Sequence, residues 1–158
     1  VKPDILILGK ALSGGAYPVS AVLANDTVMN VITPGSHGST FGGNPMASAA
    51  ANAVLDIVLG DKFLDNVFQN GIYLNNQLEI VAAKHKFLGE IRGQGLLVGI
   101  VCDENVVNTE IVKVAETQGV LTVPAGNNVI RIIPPLTVTK AEIDEGLTLF
   151  DQACQNFS

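Results

Sequence analysis

Charge is scarce in this sequence. Only 15% of its 158 residues are Asp, Glu, Lys or Arg, the net charge is −6, and Lys and Arg form no run. Nucleic acids and anionic membrane surfaces both require clustered positive charge, so neither is an expected partner. No apolar run approaches the ~20 residues that span a bilayer. The longest, from Ala47 to Val58, is broken by Ser48, Asn52 and Asp56. Two cysteines, Cys102 and Cys154, lie in apolar periodic segments without metal-ligand spacing. They are expected to be buried thiols of a protein in a reducing compartment, the cytoplasm, and no metal site is expected. No signal or transit peptide opens the sequence, and no internal repeat runs through it.

Apolar residues are plentiful by contrast. They make up 47% of the chain, which argues against disorder. So large a share also implies apolar surface that meets another chain or another part of the same one. The first nine residues, Val1-Lys-Pro-Asp-Ile-Leu-Ile-Leu-Gly9, enter an apolar strand almost at once. A natural N-terminus rarely begins inside a core, so the chain is read as a fragment of a longer protein.

Ile5 to Leu8 is a continuous apolar run closed by Gly9, the pattern of a strand buried on both faces. Ala11 to Pro18 carries Ser13-Gly14-Gly15 and must be loop or turn. Val19 to Leu23 reads as a second buried strand, and a short helix is predicted over Asp26 to Ile32. Pro34 to Gly43 is a long glycine-rich loop with almost nothing to pack, and such loops are usually functional or disordered. Asn44-Pro45 then supplies an N-cap and first helical position for an alanine-rich helix to about Leu59. From Asp61 a long amphipathic helix is predicted, with Gly71 as its weak point. Leu96 to Val101 reads as a strand and Asn108 to Thr117 as a helix. Val120 to Val123 and Val129 to Ile133 read as strands joined by the Ala125-to-Asn128 turn. Thr139 with Glu142 forms a capping box for a last helix whose core face carries Ile143, Leu147, Phe150 and Cys154. The expected architecture is α/β, with one unit over residues 1–60 and an α+β module over 61–158.

Lys10 is the first candidate for chemistry. It follows a buried strand and leads into a flexible loop, the place where α/β proteins put ligands. An amine partly desolvated there becomes a nucleophile towards a carbonyl. Position alone fits a solvated lysine at a strand end better. The Gly38-Ser39-Thr40-Phe41-Gly42-Gly43 segment is the second. Its small residues and two hydroxyls let backbone and side chain approach an anion, though it lacks the spacing and lysine of a P-loop. His37 is read as a loop hydrogen-bonder and His85 as a solvated helix-end residue. Arg131 is the third, because a lone charge in the apolar strand Asn128 to Pro135 is costly unless paired. It suits bidentate capture of a carboxylate. An edge-strand arginine facing water, or bonded to an internal Asp, fits about as well. Arg92, in Ile91-Arg-Gly-Gln-Gly95, is a weaker case of the same kind.

Three stretches together carry a family resemblance: Leu8 to Ser20 (Leu-Gly-Lys-Ala-Leu-Ser-Gly-Gly-Ala-Tyr-Pro-Val-Ser), His37 to Pro45, and Asn128 to Leu136. Ile91 to Leu97 adds a fourth, less specific one. In this order they resemble the class-III aminotransferases, and within them the ornithine and N-acetylornithine aminotransferases, over essentially the whole chain. The resemblance implies the C-terminal part of a fold-type-I transferase. Residues 1–60 would then end the large domain that binds pyridoxal 5'-phosphate, and residues 61–158 would form the small C-terminal domain. It implies that Lys10 holds the cofactor covalently and, once freed by substrate, moves a proton between the substrate carbon and the cofactor. It implies that Thr40 donates to the cofactor phosphate of the neighbouring subunit, hence a two-fold homodimer. Ser39 would lie at the substrate edge of that loop, and Arg131 would bind the α-carboxylate of the amino or 2-oxo acid. The family's aspartate at the pyridine nitrogen, its ring-stacking aromatic and its other phosphate loop lie upstream of these residues. The isolated polypeptide is therefore expected to have negligible transaminase activity.

The Ala11-to-Ser20 stretch is nearer to ornithine aminotransferases. The Thr122-to-Asn128 turn and the Ile132-to-Pro135 tail are nearer to N-acetylornithine aminotransferases. The stretch around Lys10 is closer to the chemistry, so ornithine is the expected donor and 2-oxoglutarate the acceptor. N-acetylornithine or an amino-acid racemase reaction is the alternative within the fold. A non-catalytic module whose Gly/Ser loop binds an anion or a partner protein is the alternative of another class.

Overall fold

The computed structural model describes residues 2–157. The chain divides into two compact units, Val1–Phe63 and Leu64–Ser158.

The first unit is built on a strand pair. β1 (Ile5–Leu8) runs antiparallel to β2 (Ala21–Ala24), with Ile5 opposite Ala24 and Leu8 opposite Ala21. A 3-10 turn over Lys10–Ser13 follows β1. Buried Ser13 pins the loop that comes next: its hydroxyl donates to the Tyr17 carbonyl and accepts from the Tyr17 N–H. α1 (Asp26–Met29) is a single turn capped by the Asn25 side chain. α2 (Pro45–Val58) begins where an N-cap followed by proline makes it begin, with the Ala47 N–H bonded to Asn44 Oδ1 at 2.9 Å.

The expectation that β1 is buried on both faces is not met. Ile5, Leu6 and Ile7 are exposed, Ile7 to 73%. The reason is physical: a two-stranded pair has no layer over either face in this unit, so its apolar side chains have nothing to bury against.

The second unit closes around its own core. Its sheet has strand order β3-β4-β6-β5, antiparallel throughout, from β3 (Leu88–Gln94), β4 (Leu97–Cys102), β5 (Val123–Ala125) and β6 (Val129–Ile132). Alternation along β4 sends Val98, Ile100 and Cys102 inward, while Leu97 is exposed on the other face. The inward residues join Leu74 and Leu78 of α3 (Phe63–Ala82), Ile111 and Ala115 of α4 (Asn108–Thr117), and Leu147 and Phe150 of α5 (Lys140–Cys154) in one cluster. The capping box that opens α5 is formed, with the Thr139 N–H bonded to Glu142 at 2.8 Å and the Glu142 N–H to the Thr139 hydroxyl at 3.3 Å. α4 has no local side-chain cap. Asn128 supplies one from twenty residues on: its Oδ1 accepts from the Asn108 N–H at 2.9 Å, and its amide donates to the carbonyls of Cys102, Asp103 and Val106.

Four local readings change. Gly71 is a packing requirement rather than a weak point of α3, because a Cβ there would lie 2.8 Å from the Gly95 backbone. β3 is a strand that the glycine-interrupted segment Leu-Gly-Glu-Ile-Arg-Gly-Gln does not announce. β5 starts at Val123 rather than Val120, because Val120 ends α4 instead. Its N–H bonds to the Ala115 carbonyl and that of Gly119 to Glu116, closing a Schellman motif through Gly119 at φ 96. His85 is not solvated. It is 4% exposed, Nε2 lies 2.7 Å from Asp151 Oδ1, and its ring leans on Phe87. The backbone turns back after α3 (the His85 N–H donates to the Ala82 carbonyl), which carries the imidazole into α5.

Candidate active site

Lys10 sits at the first residue after the link from β1, with its backbone in the left-handed region at φ 53. A side chain with a Cβ pays about 1–2 kcal/mol to stay there. The neighbouring turn enforces it: the Leu12 N–H bonds to the Gly9 carbonyl and the Gly14 N–H to Ala11, while Ser13 anchors the other end. Lys62 shares this strain at φ 65, so strain alone does not single out Lys10. Its place directly after the apolar strand β1, at the start of the turn that Ser13 anchors, does. The Lys10 side chain is exposed, and among the described residues its Nζ has no hydrogen bond or ion pair. The enclosure expected around the amine is thus not provided by the described residues.

The glycine-rich loop is exposed at every position from 31 to 43. Its first part bonds to itself, with the Ser36 hydroxyl donating to the Thr33 carbonyl at 2.7 Å and accepting from the Thr33 N–H at 2.9 Å. Its second part is held by the backbone and Asn44, with the Gly42 N–H bonded to the Ser39 carbonyl at 3.4 Å and the Asn44 side chain donating to the Phe41 carbonyl at 2.9 Å. Among the described residues neither the Ser39 nor the Thr40 hydroxyl makes a hydrogen bond. At Gly42 a Cβ would come 2.9 Å from Ser39 Cβ, so the loop folds tightly over Ser39. The loop runs directly into the N-terminus of the fourteen-residue helix α2, whose dipole favours an anion at that end. The 3-10 turn that carries Lys10 is packed on the same helix, for a Cβ at Gly14 would lie 3.0 Å from Val54 Cγ2. The exposed amine suits a carbonyl, and the two unpartnered hydroxyls, taken separately, suit an anion.

Arg131 lies in the second unit, at the middle of β6, exposed on the outer face of the sheet and opposite Gly99 on one side and Val123 on the other. It has no ion pair among the described residues, which sets aside the reading in which an internal Asp holds it. Arg92 lies on β3 and also faces outward, its Nε 3.6 Å from Glu90 Oε2. His37 is exposed in the loop, and His85 belongs to the structural network with Asp151 and Lys84.

Other ionisable groups are tuned by the fold. Burial pushes the Cys102 thiol up to about 11 and that of Cys154 up to about 12, so neither is a thiolate nucleophile near neutral pH. At Asp151 burial works to raise the pKa, but hydrogen bonds from Lys84 and His85 outweigh it and the net shift is downward.

Residues 1–154 match the class-III aminotransferases, and the chain belongs to that family. It is 46% identical, over its whole length, to the acetylornithine aminotransferase of Bacillus subtilis (strain 168), of which it covers 40%. It is 43% identical over 93% of its length to an ornithine aminotransferase of Staphylococcus epidermidis, covering 36% of that protein. Among solved structures, it superimposes on the acetylornithine aminotransferase of Elizabethkingia anophelis with a TM-score of 0.89 at 41% identity, over 99% of this chain and 42% of that one. For the ornithine aminotransferase of Plasmodium yoelii the TM-score is 0.91 at 38% identity, over 100% and 43%. The chain therefore spans about 40% of the length of the curated relatives it matches. No helix among the described residues is long and apolar enough to cross a membrane.

Proposed function

We propose that this chain is part of a pyridoxal-phosphate-dependent transaminase that passes the terminal amino group of ornithine to 2-oxoglutarate. The observation that carries the reading is Lys10, held in a strained left-handed turn at the end of β1 with an unpartnered amine. In this reading the first unit belongs to the cofactor-binding domain and the second to the smaller C-terminal domain. When bound, the cofactor supplies an aldehyde that takes up an amino group and a conjugated ring that draws electrons from the substrate carbon.

The rest is done by the protein. Lys10 is the residue that would hold the cofactor, through its Nζ, and its amine, when free, would carry a proton to and from the substrate carbon. Thr40 would donate its hydroxyl to the phosphate, and Ser39 would border the substrate. In this reading the loop serves the neighbouring subunit of a two-fold dimer, which fits the Ser39 and Thr40 hydroxyls making no hydrogen bond among the described residues. Arg131 receives the α-carboxylate of the amino acid or the 2-oxo acid in a bidentate pair. The two buried, reduced thiols fit a cytoplasmic enzyme.

N-acetylornithine is the second reading for the donor, supported by relatives of both names at nearly equal identity. The ratio of kcat/KM for ornithine to that for N-acetylornithine in the intact protein decides between the two.

The central test is chemical. Borohydride reduction of the intact protein with pyridoxal phosphate, followed by peptide mass spectrometry, is expected to place a pyridoxyl group on Lys10. An adduct on another residue, or none, rejects the assignment and favours a non-catalytic anion-binding module. The polypeptide of 158 residues by itself is expected to turn over no ornithine, and measurable steady-state turnover would refute that.

A further inference from the structure

The backbone is tied down on both sides of Thr40, while the Thr40 hydroxyl itself makes no hydrogen bond among the described residues. Before it, the Ser39 carbonyl accepts from the Gly42 N–H at 3.4 Å. After it, the Phe41 carbonyl accepts from Asn44 twice, from the backbone N–H at 3.4 Å and from the side-chain Nδ2 at 2.9 Å. The side-chain bond is the shorter of the two and lies in the ordinary range for an N–H donor, whereas the backbone bond is long. The Asn44 amide is therefore the main restraint on the peptide that follows Thr40.

The other end of the same amide goes to α2. Its Oδ1 accepts from the Ala47 N–H at 2.9 Å, and the Asn44 carbonyl accepts from the Ser48 N–H at 3.1 Å in the first turn. An amide has one donor end and one acceptor end, and here each faces a group it can bond. One side chain thus clasps the loop to the helix N-terminus. Capping alone does not require this, because a serine or an aspartate accepts from the helix as well as asparagine does. Neither supplies the amide that holds the Phe41 carbonyl. The loop has little else to hold it. Phe41 is exposed, and Gly43, between Phe41 and the helix, has φ 67 with open space where a Cβ would lie. Ordering such a loop costs entropy, and a hydroxyl that is already held in place binds an anion with less of that cost.

We propose that Asn44 is a positioning residue for Thr40: its amide holds the Ser39-Thr40-Phe41 turn against the N-terminus of α2, so that the Thr40 hydroxyl is presented to a phosphate group. This rests on the reading in which Thr40 binds the cofactor phosphate. Asn44 acts through the loop backbone rather than on the ligand. Its contribution belongs to the phosphate end of the cofactor and not to the aldehyde end, which is the business of Lys10 in the other part of the unit.

The test uses the intact protein after removal of the cofactor, and compares Asn44→Ser, Asn44→Ala, Thr40→Ala and the double variant Thr40→Ala/Asn44→Ser. The Kd of pyridoxal phosphate and of pyridoxal, which has the aldehyde but no phosphate, is measured together with the thermal midpoint of the unliganded protein. Asn44→Ser keeps the cap and loses the clasp. It is expected to raise the Kd of pyridoxal phosphate by about tenfold, to leave that of pyridoxal within about twofold, and to leave the thermal midpoint unchanged. Asn44→Ala is expected to weaken pyridoxal phosphate equally and to lower the midpoint as well, because the cap is lost too. The double variant is expected to bind no more weakly than Thr40→Ala alone, since Asn44 works through Thr40. If Thr40→Ala weakens pyridoxal phosphate selectively while Asn44→Ser binds as wild type does, the role of Asn44 is overturned and that of Thr40 stands. If Thr40→Ala binds pyridoxal phosphate as wild type does, the phosphate reading of Thr40 fails, and the inference built on it fails as well. Additive losses in the double variant, an equal loss for pyridoxal, or a midpoint that falls as far in Asn44→Ser as in Asn44→Ala also overturn the proposal, because each marks a role that does not pass through Thr40.

Discussion

The two units handle apolar surface in opposite ways. In the first, Ala47 is the single buried hydrophobic residue among those described, while Ile7, Phe41, Met46 and Leu59 stand largely exposed. In the second, all the remaining buried hydrophobic residues lie in one continuous cluster that joins three helices to one face of a sheet. The candidate groups for covalent chemistry and phosphate binding lie in the first unit, and the hydrophobic stabilisation lies in the second. A unit with so little core cannot offset the entropy of ordering its loops by itself. Its exposed apolar strands and helix faces are surface available for burial against further protein.

That contrast can be broken most sharply at Lys10. Replacing it by alanine in the intact protein is expected to lower transaminase turnover by about 10²–10⁴-fold, the usual worth of a positioned acid–base group, with little change in the thermal midpoint. Turnover within a few-fold of wild type would remove the division of labour between the units.

The next test sets two phenylalanines against each other. Phe150→Ala, at a fully buried centre of the second unit, is expected to cost about 3–5 kcal/mol. Phe41→Ala, at a side chain 77% exposed in the first unit, is expected to stay within about 0.5 kcal/mol. Urea unfolding of both variants measures the difference, and equal losses would mean that the loop around Phe41 is packed in the intact protein.

A smaller effect is expected at Gly71. Alanine is the better helix former, yet Gly71→Ala should destabilise by about 1–3 kcal/mol, because its Cβ meets the Gly95 backbone at 2.8 Å. A stabilised variant would show that the α3 contact with the β3–β4 turn is looser than the structure has it.

The smallest effect concerns pH. The Asp151 carboxyl is held below its ordinary value of 3.8, so the unfolded chain takes up its proton at a higher pH than the folded one. Its contribution is therefore complete above about pH 4 and is lost as pH falls through the lower, folded value. Asp151→Asn is expected to cost about 1–2 kcal/mol at pH 7 and to flatten this part of the acid limb. Parallel acid titrations of both proteins would reject the role.

Much of the local structure was legible because it is specified by near neighbours. Asn44-Pro45 announces α2, and Thr139 with Glu142 announces α5, since a capping bond needs only residues three positions apart. The lysine and the hydroxyl loop were legible as motifs for the same reason. β3 was hidden because two glycines interrupt its alternation, and the burial of His85 was hidden because Asp151, its partner, lies 66 residues away. The Asn128 cap on α4 was equally invisible, its partner being 20 residues back along the chain.

The sequence by itself determined where helices begin, which faces of α3 and α5 are apolar, and which residue types stand ready for an aldehyde, a phosphate and a carboxylate. These depend on covalent neighbours and on side-chain chemistry. Only the tertiary structure decided that β1 stays uncovered, that Gly71 is a contact point, and that Arg131 stands opposite Gly99 on the outer face of the sheet. Those outcomes depend on strand register and layer packing, in which a shift of a single residue turns every side chain to the opposite face.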